Sequence, residues 1–196
     1  MRRMRVGAFR SAKLLALVAV MAFALTGCAQ PSRQAFDLAG ALDPVRAARA
    51  GGPALAVREP LATPPTGSER IVVRDVDGSV AVLPDVQWTT RLPRLLQDRL
   101  VQSLQRVGIS ASPVSFGAEA LATDVRRFEI DVARSVAVVE IAARIIDVNT
   151  GASRASQNFV AETPVADRTG PPAALALTQA AGDAMSRIGA WARGRL

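Results

Sequence analysis

The side chain with the least ordinary chemistry in this chain of 196 residues is the thiol of Cys28, the sole cysteine. With no second cysteine, no disulfide can close within the chain, and an exported free thiol is otherwise a liability. The sequence contains no histidine. That removes the usual base for an activated thiol and the Ser-His-Asp and Cys-His constellations with it. Nucleotide loops of the G-x-G-x-x-G or G-x-x-x-x-G-K-[ST] kind do not occur. Asp75 and Asp77 flank Val76 and precede Gly78, a pattern of turn chemistry rather than of paired catalytic carboxylates. No catalytic residue, metal ligand or cofactor is expected. What Cys28 can still do is accept a covalent group.

The residues before it say which. Arg2, Arg3, Arg5, Arg10 and Lys13 form a cationic head without an acid, and Leu14 to Leu25 is an unbroken apolar run. A twelve-residue helix covers roughly 18 Å, short of the ~20 residues needed to cross a bilayer. A basic head, a short apolar run and small residues at a cut make a secretory signal. Here the cut falls before cysteine: Leu25-Thr26-Gly27-Cys28 resembles the lipobox of bacterial lipoproteins. The resemblance implies that the Cys28 thiol takes a diacylglycerol, that cleavage follows between Gly27 and Cys28, and that the mature chain begins on a lipid-bearing residue. Each buried methylene contributes about 0.8 kcal/mol, so two or more acyl chains, palmitate among them, hold stably. Residues 1–27 are thus read as signal peptide, 28–34 as lipidated terminus and leash, and 35–194 as one domain. Ala29 is not the aspartate that retains lipoproteins at the inner membrane in enterobacteria, which points to the outer membrane.

The charge balance follows from that processing. Of 24 Lys+Arg, five leave with the signal, so 19 bases face 17 acids in residues 28–196, a net of about +2. No basic cluster alternates with aromatics and the chain has no tyrosine, so no nucleic-acid partner is expected.

Downstream, the patterning places the elements that such an anchor would carry. Residues 35–38 and 54–59 read as short strands, and 40–53 as a Gly/Ala/Pro-rich connection. Residues 60–69 hold three prolines and a glycine and read as loop. Residues 70–75 and 79–83 flank Asp77-Gly78 as a hairpin, after which Pro84 to Trp88 turns towards a helix. That helix, 92–107, carries Leu92, Leu95, Leu96, Leu100, Leu104 and Val107 on one face, with Arg94, Gln97, Asp98, Gln102, Gln105 and Arg106 elsewhere. Thr90 is the nearest hydroxyl to cap it, Pro93 belongs in its first turn, and Gly108 ends it. Residues 112–116 suggest a strand. From Val125 the sequence alternates, with Phe128, Ile130 and Val132 opposite Arg127, Glu129 and Asp131. Residues 136–148 read as a central strand covered on both faces, and 152–163 as its partner. A last helix opens near Pro172, with Leu175, Ala181, Met185, Ile188 and Trp191 near one face and Ala173, Ala174, Ala180 and Ala184 allowing close packing. The sum is an α/β fold: a single domain with a mixed or antiparallel sheet and two main helices packed on it, preceded by a lipoprotein signal peptide.

Trp88 followed by Leu92-Pro93-Arg94-Leu95-Leu96-Gln97-Asp98-Arg99-Leu100-Val101-Gln102-Ser103-Leu104 resembles the ABC-type transport auxiliary lipoproteins, the lipoprotein component of MCE-type lipid transport systems. A long hairpin like 125–163 and an Ala-rich last helix with a late tryptophan, matched by Trp191, extend the resemblance over most of residues 25–193. The Pro/Gly-rich stretch 40–69 departs from the pattern. The resemblance implies a non-catalytic docking or bridging subunit, lipid-anchored in the outer membrane and facing the periplasm. Its implied partners are an inner-membrane ABC permease and ATPase and an MCE-domain protein, moving phospholipids or other hydrophobic molecules across the envelope. It also admits a homo-oligomeric ring. Trp88, Leu92, Pro93, Leu95, Leu96, Leu100 and Leu104 are its motif, read as core. Contact surfaces are expected at an exposed sheet edge and at the loop 60–69. Arg94, Arg99 and Arg106 read first as a solvated helix face and second as contacts to acidic partners or headgroups. The competing function is an outer-membrane assembly or secretion accessory lipoprotein.

Overall fold

A computed structural model describes residues 33–41, 52–114 and 117–196. The expected signal peptide, the Leu25–Cys28 box, most of the leash and most of the 40–53 connection lie outside the described residues, as do residues 115–116 of the expected strand 112–116, whose observed counterpart is Ser110–Ser112. In chain order the elements are β1 (Gln34–Phe36), a 3₁₀ turn (Ala39–Ala41), β2 (Ala54–Val57), β3 (Arg70–Arg74), β4 (Val80–Trp88), α1 (Leu92–Arg106), β5 (Ser110–Ser112), β6 (Glu119–Asp131), β7 (Val136–Asp147), β8 (Ser153–Pro164) and α2 (Gly170–Arg193).

The sheet is organised on β6. One edge pairs antiparallel with β7 along its whole length, and β7 pairs in turn with β8. The other edge is shared by residues 54–74, which run beside it twice in the same direction. Ala56 and Val57 of β2 pair parallel with Ala120 and Leu121. Leu61 then bridges Asp124, and Val72 to Arg74 of β3 pair parallel with Glu129 to Asp131. Residues 62–69 are an excursion between two halves of one interrupted strand. Beyond this row β5 extends β2, while β4 and then β1 extend β3. The result is a mixed, open eight-stranded sheet.

Both helices contribute to one hydrophobic core with the same sheet face. Leu121, Val125, Phe128 and Ile130 of β6 and Ala137, Val139, Ile141, Ala143 and Ile145 of β7 alternate into it. From α1 it takes Leu92, Leu95, Leu96, Leu100 and Leu104, and from α2 an alanine-rich stripe that includes Ala173, Ala174, Ala180 and Ala184. Small side chains also set the helix–helix spacing. A Cβ on Gly189 would lie 2.8 Å from Ser103 Oγ and 3.2 Å from its carbonyl oxygen. Ser103 Oγ donates across the crossing to the Met185 carbonyl at 2.7 Å.

Five expectations need correction. Pro84 to Trp88 is not a turn; β4 continues to Trp88. Its pairing with β3 shifts register between Arg70 and Val72, and a proline without an N–H is tolerated at such an irregularity. Thr90 does not cap α1. The cap position is Arg91, with no side-chain bond, and the Leu92 amide donates to the Ser68 carbonyl at 3.0 Å. The tertiary fold supplies the acceptor that a hydroxyl would otherwise provide. Gln97 is buried, not on the solvated side. Its amide donates to the Val57 carbonyl at 2.8 Å, at the point where β2 stops. Leu175 is 60 % exposed, away from the core stripe on α2. The strand from Val136 is not covered on both faces throughout: Val138 and Ile146 are buried on the side away from the helices, but Arg144 is exposed there.

Candidate functional site

Of the residues singled out above, Leu25, Thr26, Gly27 and Cys28 lie outside the described residues. The helix motif is placed, and it is core. Trp88 is 0 % exposed and meets Phe128 edge-to-face, with ring centroids 5.8 Å apart. Pro93 is buried with Leu92, Leu95, Leu96, Leu100 and Leu104. These side chains hold α1 against the sheet and present nothing to a partner.

What a partner can reach is the sheet's second face, its free edge and the outer helix surfaces. The face without helices carries a lattice of charges along β3, β6, β7 and β8. Arg74 grips Glu129 with two nitrogens, each 2.9 Å from a carboxylate oxygen. Arg127 reaches the same carboxylate at 2.8 Å and Asp131 at 3.1 Å. Arg134 pairs with Glu162 at 2.5 Å, and Arg154 with Glu119 and Asp147 at 3.2 and 2.8 Å. Burial alone would raise the Glu129 carboxyl; the hydrogen bonds and charge of Arg74 and Arg127 outweigh it and hold it below the usual range. Asp131 follows the same logic, with the Arg134 amide and Arg127 overcoming burial. Asp147, bonded by Arg154 and by the amides of Thr150 and Asn149, is lowered to about 2. Depressed carboxylates held by arginines stay ionised and accept no proton near neutrality, so this lattice is binding and structural chemistry, not acid–base chemistry.

The alternation of Arg127, Glu129 and Asp131 signalled an outward face. It did not signal that Glu129 and Asp131 would be 3 % and 8 % exposed. The missing partner, Arg74, lies 55 residues away, and only the parallel pairing of β3 with β6 brings it there.

The longest free edge among the described residues is β8, which pairs only with β7; the three-residue strands β1 and β5 end the sheet elsewhere. Arg187 of α2 donates to the Val160 carbonyl on β8 at 2.7 Å, which blunts it for strand addition. The loop 60–69 is tied down rather than free. Its Leu61 amide donates to the Thr123 carbonyl, the Val125 amide to the Leu61 carbonyl, and the Trp88 amide to the Glu69 carbonyl. The Leu61 side chain remains 66 % exposed. Arg94 is exposed, reaching Gln97 and Asp98 on its own helix, and Arg99 bonds Gln102. Among the described residues no group of three His, Cys, Asp or Glu could hold a metal ion, and no helix is long and apolar enough to cross a membrane.

No curated protein matches the sequence. Protein XCC0632 from Xanthomonas campestris, described as of family DUF330, is 26% identical over 78% of this chain and 93% of its own, with a TM-score of 0.67. An uncharacterized protein superposes with a TM-score of 0.66 at 15% identity, over 82% of this chain and 99% of its own, a likeness of fold. The PelC dodecamer from Paraburkholderia phytofirmans is more distant, at 15% identity and a TM-score of 0.42, over 80% of this chain and 89% of its own. The family model for the ABC-type transport auxiliary lipoprotein component matches residues 36–189, from the end of β1 to the last turns of α2. By that match, which spans nearly all of the sheet-and-helix body, the chain belongs to the family of ABC-type transport auxiliary lipoprotein components.

Proposed function

We propose that this chain is the lipid-anchored, non-catalytic docking subunit of an MCE-type ABC transport system that moves phospholipids or other hydrophobic molecules across the cell envelope. The observation that carries the reading is the family match over residues 36–189, joined to the Leu25-Thr26-Gly27-Cys28 box at the distance of a short leash. A thioether-linked diacylglycerol on Cys28 places the body at a membrane, in this reading the outer membrane from its periplasmic side. The body supplies surface rather than chemistry: a paired-charge sheet face, a blunted strand edge and a packed helical layer.

Affinity purification of the full chain from gently solubilised envelopes tests the partners. Recovery of an MCE-domain protein with its permease and ATPase supports the reading. Recovery of a β-barrel or a secretin in their place would favour an assembly or secretion accessory and overturn it. Mass spectrometry of the mature N-terminus tests the anchor separately. Diacylglycerol on Cys28 is expected, and a Cys28→Ser chain should be found soluble or uncleaved. A processed Cys28→Ser chain that stays fully in the membrane fraction refutes lipid anchoring.

A further inference from the structure

One cleft, of about 390 Å³, lies outside everything used so far. Its floor is a stripe of α2 carrying Leu175, Gln179, Gly182, Asp183 and Ser186, and Arg106 from the last turn of α1 lines it too. The 3₁₀ turn Ala39–Ala41 forms another wall. Gly182 makes this possible, because any Cβ there would overlap the Ala41 carbonyl lying directly on the helix.

The charges in this cleft are unlike those of the sheet face, where arginines and carboxylates are paired. Arg106 has Nε and Nη2 sealed from solvent without an acceptor among the described residues. A guanidinium stripped of most of its water and without a counter-charge attracts an anion more strongly than a hydrated one, and rotation of the long Arg106 side chain brings its unpartnered nitrogens to an acceptor in the cleft. Asp183 lines the same cleft, exposed, with no ion pair among the described residues, and the two charges are not within 4.0 Å of each other. A cation and an anion held apart over one small hollow suit a ligand with both signs. The Gln179 amide and the Ser186 hydroxyl add neutral hydrogen-bonding groups, and Leu175, 60 % exposed, offers an apolar border.

We propose that this cleft binds a phosphate ester bearing an amine, with the phosphate on Arg106 and the ammonium on Asp183. The volume falls in the range of small-ligand sites, which begins at about 300 Å³. In a lipid transport subunit the source of that chemistry is a phosphoethanolamine headgroup, with Leu175 against the start of an acyl chain. That source rests on the function proposed above; the recognition of the zwitterion by the cleft does not.

Calorimetric titration of the full chain in a non-ionic detergent tests it with four probes: glycerophosphoethanolamine, dihexanoyl phosphatidylethanolamine below its micellar concentration, inorganic phosphate and ethanolamine. Either zwitterion should bind at least tenfold tighter than phosphate or ethanolamine. Tighter binding of the dihexanoyl lipid than of glycerophosphoethanolamine assigns the lipid source; equal binding assigns a free ester. Arg106→Gln should weaken both zwitterions at least tenfold. Asp183→Asn, at an exposed position with little to disturb in folding, should weaken them at least threefold and leave phosphate unaffected or tighter. Phosphate binding as tightly as the zwitterions, an Asp183→Asn chain that binds them normally, or no heat with any probe would overturn the proposal. Failure to recover an MCE partner, with zwitterion binding intact, would sink the transport reading and leave the cleft assigned.

Discussion

Gly189 sits in the interior of α2, where intrinsic propensity and packing make opposite predictions for Gly189→Ala. On propensity alone alanine gains about 0.8–1.0 kcal/mol over glycine in a helix interior. The structure places the new Cβ 2.8 Å from Ser103 Oγ and 3.2 Å from the Ser103 carbonyl oxygen, inside ordinary contact distance. Ser103 has little freedom to yield: it is 2 % exposed, and its hydroxyl is committed to the Met185 carbonyl at 2.7 Å. Overpacking at such a site costs about 1–3 kcal/mol, and displacing the hydroxyl forfeits a buried hydrogen bond of about 1 kcal/mol. Set against the propensity gain, the variant should be destabilised by about 1–3 kcal/mol. Guanidinium unfolding followed by tryptophan emission reads this directly, since Trp88 is 0 % exposed and Trp191 packs on Phe159 at 5.7 Å. With a slope of about 4 kcal/mol/M, a change of about 2 kcal/mol moves the midpoint down by about 0.5 M. Ser103→Ala removes the nearer of the two clashing atoms, so Gly189→Ala should cost less in that background, with a coupling of about 1 kcal/mol or more. A raised midpoint for Gly189→Ala, with strict additivity in the double variant, would refute the tight crossing.

Gln97→Leu takes a buried donor from the Val57 carbonyl and should cost about 1–3 kcal/mol by the same titration; an unchanged midpoint would mean the bond is dispensable. Glu129→Gln should cost about 2–3 kcal/mol near neutrality, at the low end for a buried pair because Arg74 and Arg127 are 39% and 29% exposed and can rehydrate. The acid limb follows from the sign of the shift. The folded Glu129 carboxyl is depressed, so its contribution is full above the unfolded value of about 4.3 and is lost as pH falls through the lower folded value. Melting temperature should therefore drop below about pH 4.3 in the parent and fall less in Glu129→Gln; parallel curves would remove Glu129 from the account. Asp147, lowered to about 2, should start to lose its part of the acid stability as pH falls below the unfolded value of about 3.9 and should have lost nearly all of it by about pH 2.

The elements whose signals are local were readable from the chain. Leucines at three- and four-residue steps defined α1, which ends at Arg106 where Gly108, at φ 81°, takes the left-handed conformation after it. Asp77-Gly78 between β-branched runs marked the β3–β4 hairpin, and the small face of α2 announced close packing. The reading of Leu25–Cys28 as a lipoprotein box rests on residue types alone and lies outside the described residues.

Other features were decided only when distant segments met. Gln97 looked polar and solvated because nothing nearby in sequence shows that β2 ends beneath it, 40 residues earlier. Glu129 and Asp131 looked like an outward face, yet their burial depends on Arg127 lying across them and on Arg74 arriving through a strand pairing. The cleft at Arg106 and Asp183 belongs to two helices and a turn drawn from three separate stretches. Periodicity and turn chemistry are encoded over four to seven residues and survive without a fold. A charge's partner and a side chain's exposure depend on which strands lie side by side, and here that was settled by residues 54–74 running along β6.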